Sequence, residues 1–325
     1  MSKLQNAEPR TKNRLTRFAW LVVGLLVLAF VGVLIARWMR ELPAVQDFLT
    51  SYPGHSELPD GAAVGFPAWL AWQHFLNAFF LVMIIRTGWP VRTNQRPAAF
   101  WTGNNSGPIR TRNSPKKISL GLWLHLSLDA LWVLNGVIFY VLIFSTGQWM
   151  RIVPTSWDVF PNAISAAIQY TSLSWPTENG WVNYNGLQLL TYFITVFIAA
   201  PLAVITGIRM SRAWPQGATR LNRLYPVEVA RAVHFPVMLY CVLFIIAHVT
   251  LVFATGALRN LNHMYGGRDD ESWVGFWFFA GSLVLMALAW FAARPIILRP
   301  IAALSGKVSR LHFGYSPTRI TTSMP

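Results

Sequence analysis

The chain has 325 residues, enough for two ordinary soluble domains, yet 54% are apolar and only 12% charged, about half the charged share of a soluble domain. Lys and Arg number 27 against 12 Asp and Glu, a net charge of +15; the apolar content excludes disorder, and the single cysteine, Cys241, excludes a disulfide scaffold. The basic residues sit between long apolar runs, so they do not read as a nucleic-acid surface, and the composition is that of a polytopic membrane protein.

A helix needs about 20 mostly apolar residues to cross roughly 30 Å of hydrocarbon. Such runs occur at 18–39, 67–87, 119–146, 186–208, 230–255 and 274–293. The first is too long for a signal peptide and lacks a small-residue cleavage site, so it reads as a retained span. No repeat or alternating ten-residue strand pattern stands out, and backbone groups inside a bilayer must bond within their own segment. The predicted fold class is therefore an all-α integral membrane protein, a six-transmembrane helix bundle.

Orientation follows from the basic residues. With the N-terminus inside, the inner segments hold Lys3, Arg10, Lys12, Arg14 and Arg17, then Arg86, Arg92, Arg96, Arg110, Arg112, Lys116 and Lys117. Arg209, Arg212, Arg220, Arg223 and Arg231 follow, then Arg294, Arg299, Lys307, Arg310 and Arg319. Only Arg37, Arg40, Arg151, Arg259 and Arg268 fall outside, together with most of the acids, including Asp269, Asp270 and Glu271. Both termini are expected in the cytoplasm of a bacterial cell, with the spans in its inner membrane. Contact with anionic membrane lipid is a secondary use of the same charge.

Ionisable residues inside a span are costly and mark function. His55, His263 and His312 lie in loops or the tail, whereas His74, His125, His234 and His248 lie in spans. A lone histidine on an apolar face usually serves packing, but these four sort by depth. His234 and His248 are 14 residues apart on the fifth span, nearly four turns, so they share a face about 21 Å apart along the axis. Span direction places His74 and His248 in the outer half and His125 and His234 in the inner half. Two imidazoles facing each other, without a cysteine or carboxylate cluster, suit axial ligation of haem iron, whereas a closed zinc site wants four ligands close together. Two bis-histidine b-type haems stacked through the membrane is the economical reading, and neutral imidazole is the form that ligates.

The four in-span histidines, with Arg231-Ala-Val-His234-Phe-Pro and His248-Val-Thr-Leu-Val-Phe around the last pair, resemble the bacterial di-haem cytochrome b561 and Ni-hydrogenase cytochrome b family. That family includes the membrane subunits of hydrogenases, formate dehydrogenase and thiosulfate reductase. The resemblance covers roughly 67–293 and implies a four-helix di-haem core made of spans two to five. It implies the pairs His74–His248 and His125–His234, the matching that depth selects. It divides the chain into 1–66 (basic N-terminus, extra first helix and outer loop), 67–293 (core and last helix) and 294–325 (basic tail). One departure stands out. In formate dehydrogenase the core begins in the cytoplasm and the partner is periplasmic, whereas the extra first span here turns the core over. The inner loops 88–118 and 209–231 are then preferred as the docking face for a peripheral oxidoreductase subunit. The outer loop 147–185, with Trp157, Trp175 and Trp181, is the rival.

Asp129, one turn after His125, is the only acid within a span. It reads either as a proton relay to a quinone or ligand-orienting group, or as an inter-helix hydrogen bond with Asn135 or Ser127 in the interface. Arg86, Arg209 and Arg231 at inner helix ends and Arg259 beyond an outer one are candidates for haem propionates, with Arg86 and Arg231 foremost, although most read first as orientation markers. Gly121, Gly136 and Gly207 are candidates for close approach of a macrocycle. Cys241 reads as packing, and Pro201 and Pro236 as helix kinks. No phosphate loop, His-Glu-x-x-His or Cys-x-x-Cys motif occurs, so the haems would be non-covalent and the donor's chemistry would reside on another subunit. The expected function is electron transfer between that subunit and the quinone pool. A stand-alone transmembrane haem oxidoreductase and a haem-free anchor or permease remain as alternatives.

Overall fold

The computed structural model describes residues 10–93, 95–105, 114–175, 179–211, 214–215 and 217–310. Lys3, Arg110, Arg112, Arg212 and Arg319 of the inner charge set, and His312, lie outside the described residues. Along the chain run α1 (Arg10–Met39), α2 (Pro43–Ser51), α3 (Ala68–Arg92), β1 (Ala99–Gly103), β2 (Ile118–Ser119), α4 (Leu120–Ser145) and α5 (Val159–Thr171). Then come α6 (Gly186–Phe193), a π-helical turn (Ile194–Ala199) and α7 (Ala200–Met210), which continue one another. α8 (Thr219–Leu224), α9 (Val227–Ala254), α10 (Ala257–Leu261), α11 (Val274–Ala292), α12 (Pro295–Ala303) and β3 (Gly306–Arg310) complete it.

Among the described residues six helices are long and apolar enough to cross a membrane: Thr16–Met39, Ala68–Arg92, Leu120–Ser145, Gly186–Met210, Val227–Ala254 and Val274–Ala292. They coincide with the six predicted runs, and the protein is an all-α, multi-pass membrane protein. The π-turn in the fourth span follows from Pro201. Proline has no N–H for the carbonyl of Phe197 and its ring crowds that oxygen, so the preceding turn widens. The N–H of Ala200 accordingly bonds Thr195 O, five residues back.

The chain divides into two compact units. The first comprises Met1–Gly65, Ile143–Leu202 and Ala247–Thr255. Within it α5 packs closely on α6, and a Cβ at Gly186 would lie 2.7 Å from the backbone nitrogen of Ala163, so only glycine permits that crossing. Asn185 caps α6 reciprocally: its side chain accepts from the Gln188 N–H at 2.8 Å, while the Gln188 side chain accepts from the Asn185 N–H at 3.1 Å. The buried Arg151 donates to the carbonyls of Gly65 (2.6 Å) and Gly180 (2.5 Å) and lies over the Tyr184 ring. Burial pushes the Tyr184 phenol up to about 12, although the Arg151 charge pulls the other way.

The second unit comprises Phe66–Leu142, Ala203–Ile246 and Gly256–Pro325. Here the predicted inner loop and tail are folded together: β1 pairs antiparallel with β2 and with β3, and Ala99, Leu120 and Ala302 form a small buried core. The segment between α9 and α11 is held by Asn262, which is fully buried. Its Nδ2 lies within bonding distance of Asp270 O and Ser272 O (3.0 and 2.6 Å), and its Oδ1 accepts from the Gly275 N–H at 2.6 Å. Asn262→Ala leaves these backbone groups unsatisfied in a buried site, at a cost of about 2–3 kcal/mol, so the thermal unfolding midpoint in detergent should fall by several degrees.

Candidate functional site

The second unit encloses a cavity of about 420 Å³. Its walls come from α3, α4, α7 and α9. Leu81, Ile84, Leu122, Leu126, Val237 and Met238 make them largely apolar, and His125, Asp129, Arg92, Arg231 and His234 add polar groups. Cys241 also lines it. Such a mostly apolar concavity with a few convergent polar groups has the size and character of a cofactor or ligand site.

The two histidines are held alike. His125 Nδ1 lies 3.0 Å from Thr87 Oγ1, and His234 Nδ1 lies 2.8 Å from Thr206 Oγ1. Each hydroxyl has one hydrogen and also lies within bonding distance of carbonyls of its own helix, Thr87 of Met83 O (2.9 Å) and Ile84 O (3.1 Å), Thr206 of Ala203 O (3.1 Å). When that hydrogen goes to the helix carbonyl, the oxygen accepts from Nδ1–H and the imidazole keeps its lone pair on Nε2. That is the tautomer a metal ligand requires, and the fixing hydrogen bond is of the kind found behind ligating histidines.

A glycine follows each threonine. A Cβ at Gly88 would meet His125 Cε1 at 3.1 Å, and one at Gly207 would meet His234 Cε1 at 3.8 Å. Glycine thus lets the His125 ring lie against the α3 backbone. The sequence reading singled out Gly207 and passed over Gly88, while Gly121 and Gly136 face open space. Thr87 and Thr206 were also missed. The signal was present as two Thr-Gly pairs, each on an apolar helix close to an arginine, Arg86 and Arg209.

Asp129 lines the same cavity, its Oδ2 3.6 Å from His125 Nε2. Ser127 bonds its own helix at Trp123 O, and Asn135 is buried without a hydrogen-bond partner for its Nδ2 among the described residues. Of the arginine candidates, Arg231 lines the cavity and Arg92 joins it, its guanidinium 4.1 Å from the centre of the Phe235 ring. Arg86 instead donates to Ala293 O at 3.0 Å and lies over Trp290, and Arg209 donates to Tyr225 O at 2.6 Å. Arg259 pairs with Asp269 at 2.7 Å, which raises its already high pKa.

His74 and His248 belong to different units. In the second unit His74 meets the Tyr265 ring edge-on at 5.5 Å, and in the first His248 meets the Tyr192 ring edge-on at 6.0 Å. His263, read from sequence as a loop residue, is buried, stacks on Phe66 and bonds Asp269 through Nε2 at 2.7 Å. Among the described residues no group of three or more His, Cys, Asp or Glu is arranged to hold a metal ion. The donor set of the cavity is a pair of imidazoles, the Asp129 carboxyl beside one of them, two guanidinium groups and apolar walls. It fits a haem, with its axial ligands, its anionic propionates and its flat apolar ring.

No family model and no solved structure matches the chain. A relative comes from Azospira oryzae. It is the "Putative protein-methionine-sulfoxide reductase subunit YedZ1", 28% identical over 199 residues, which cover 57% of this chain and 88% of the relative.

The Thr206 hydroxyl can be tested apart from any cofactor. Thr206→Val keeps the shape but removes the acceptor, leaving a buried imidazole N–H unsatisfied at about 1–3 kcal/mol, whereas Thr206→Ser restores it. The valine variant should melt several degrees below the wild type in detergent, and the serine variant close to it.

Proposed function

We propose that this protein is the di-haem, b-type electron-transfer subunit of a membrane oxidoreductase. His125 and His234 would hold one haem, with Arg231 and Arg92 toward its propionates, and His74 and His248 would hold a second. The observation that carries this reading is the pair of threonine hydroxyls placed to accept from Nδ1 of both cavity histidines, the arrangement in which Nε2 keeps its lone pair. The second pair rests on helix register in the sequence alone.

When bound, the haems supply one-electron redox chemistry. The chain's own residues fix the imidazole tautomers, exclude water with apolar side chains, and present Asp129 as an acid able to take up or release a proton beside the cavity. The membrane quinone pool is the other redox partner in this reading. The relative's name, a reductase subunit, supports a reductase as the peripheral partner. The basic face bearing β1, β2 and β3 is the proposed docking surface, on the cytoplasmic side of the bacterial inner membrane if the charge bias sets orientation. The chain then acts within an assembly, and 67–293 forms its di-haem core.

A reduced-minus-oxidised spectrum of the protein in mild detergent should show a b-type α-band and about two haems per chain. His234→Ala and His248→Ala should each lose one, about half of the signal, with the other site retained. Well-folded protein that stays colourless after expression with added haem would sink the proposal. Cross-linking in native membranes should capture a reductase through a probe at the exposed Lys307 in β3; capture through Trp157 in place of Lys307 would move the docking face to the other loop.

A further inference from the structure

Within the first unit a second cavity, also about 420 Å³, opens at the end of α1. Arg37, Arg40, Glu41, Ser172 and Leu173 line it. Both arginines are held by one residue: Arg37 Nε donates to Ser172 O and Arg40 Nη1 to Ser172 Oγ, each at 3.2 Å. Anchoring uses one N–H of each guanidinium and leaves the rest of both forks for the cavity. Arg259 and Arg268, placed on the same side by the charge bias, pair with Asp269 and Asp270, but Arg37 and Arg40 make no ion pair among the described residues. The lining thus carries two cations and one carboxylate.

Two further features say what such a pair would meet. The large apolar side chains of α1 that lead to it, Phe18 to Ile35, are mostly exposed although Ala36 is buried, and Trp38 beside Arg37 is 60% exposed, as an interfacial anchor would be. The cavity therefore lies where a bare apolar helix surface reaches the aqueous boundary. Its rim carries Leu173 at φ +57°, the only non-glycine residue in the left-handed region among those described. A turn of that geometry is easier for glycine, so the leucine gains nothing from the backbone, and its half-exposed side chain adds an apolar edge to the cavity.

The geometry points to a phosphodiester-binding site for a glycerophospholipid, with the phosphate on the Arg37–Arg40 pair and the acyl chains along α1 and Leu173. The bound lipid would add to the hold that Ser172, at the end of α5, already has on the end of α1. A free phosphate could satisfy the same guanidinium groups, but it would make no use of Leu173 or of the bare helix face.

Native mass spectrometry of the full chain in detergent tests this with dioleoylphosphatidylglycerol and, separately, inorganic phosphate as probes. Wild-type protein should retain the lipid at least tenfold better than Arg37→Gln/Arg40→Gln. Leu173→Gly, which relaxes the backbone and so remains folded, should raise the melting temperature while lowering lipid retention severalfold. Equal retention by wild type and the double-arginine variant overturns the site. Retention by Leu173→Gly equal to wild type overturns the role of the apolar rim. Binding of inorganic phosphate to wild type alone, with no lipid retained, overturns the lipid and assigns a free anion. These outcomes do not depend on whether the other cavity holds haem.

Discussion

A neutral imidazole inside a membrane helix has one nitrogen to satisfy and one to offer, and much of the candidate site depends on which is which. Thr87 and Thr206 each stand between a helix carbonyl and Nδ1, and with the hydroxyl hydrogen on the carbonyl the oxygen accepts from Nδ1–H. The bond also fixes the plane of each ring. Gly88 then keeps the space beside the His125 ring clear of a Cβ, while Gly207 stands at ordinary contact distance from His234. Two small residues in sequence therefore do the work of orienting a far larger side chain on a neighbouring helix.

The segments outside the spans obey the same rule of satisfied polar groups with different residues. Asn262 serves the backbone between α9 and α11, Arg151 gathers two carbonyls of the first unit, and Asn185 with Gln188 closes the start of α6. A buried amide or guanidinium is tolerable because each of these meets backbone groups that water can no longer reach. The loops are consequently folded pieces, with their own helices and a three-stranded sheet.

The distribution of arginines is informative because the same side chain meets three fates. Arg86 and Arg209 close onto carbonyls and indole rings, Arg92 and Arg231 line the histidine cavity, and Arg37 and Arg40 share one serine beside a second cavity. Counting charges gives a membrane orientation. It does not separate an arginine that finishes a helix from one that faces a ligand, since all stand near helix ends for the same electrostatic reason.

Much was legible in the sequence. Span number and position follow from hydrocarbon thickness and the need for internal backbone bonding, and the six apolar runs and the six helices agree. His125, Asp129 and His234 were found because an ionisable group on an apolar helix is costly wherever it faces. The π-turn before Pro201, the sheet made from two distant segments, and the partners of Arg86 depended on contacts that no single helix contains. Thr87 and Gly88 escaped notice because threonine and glycine are ordinary in membrane helices. They become specific only when α3 and α4 bring a hydroxyl within 3.0 Å of an imidazole. Hydropathy is a property of one segment read along its length, so the sequence by itself determined the spans and the costly side chains within them; hydrogen bonding is directional and short-ranged, so only the tertiary structure decided which nitrogen, which arginine and which glycine belong to the site.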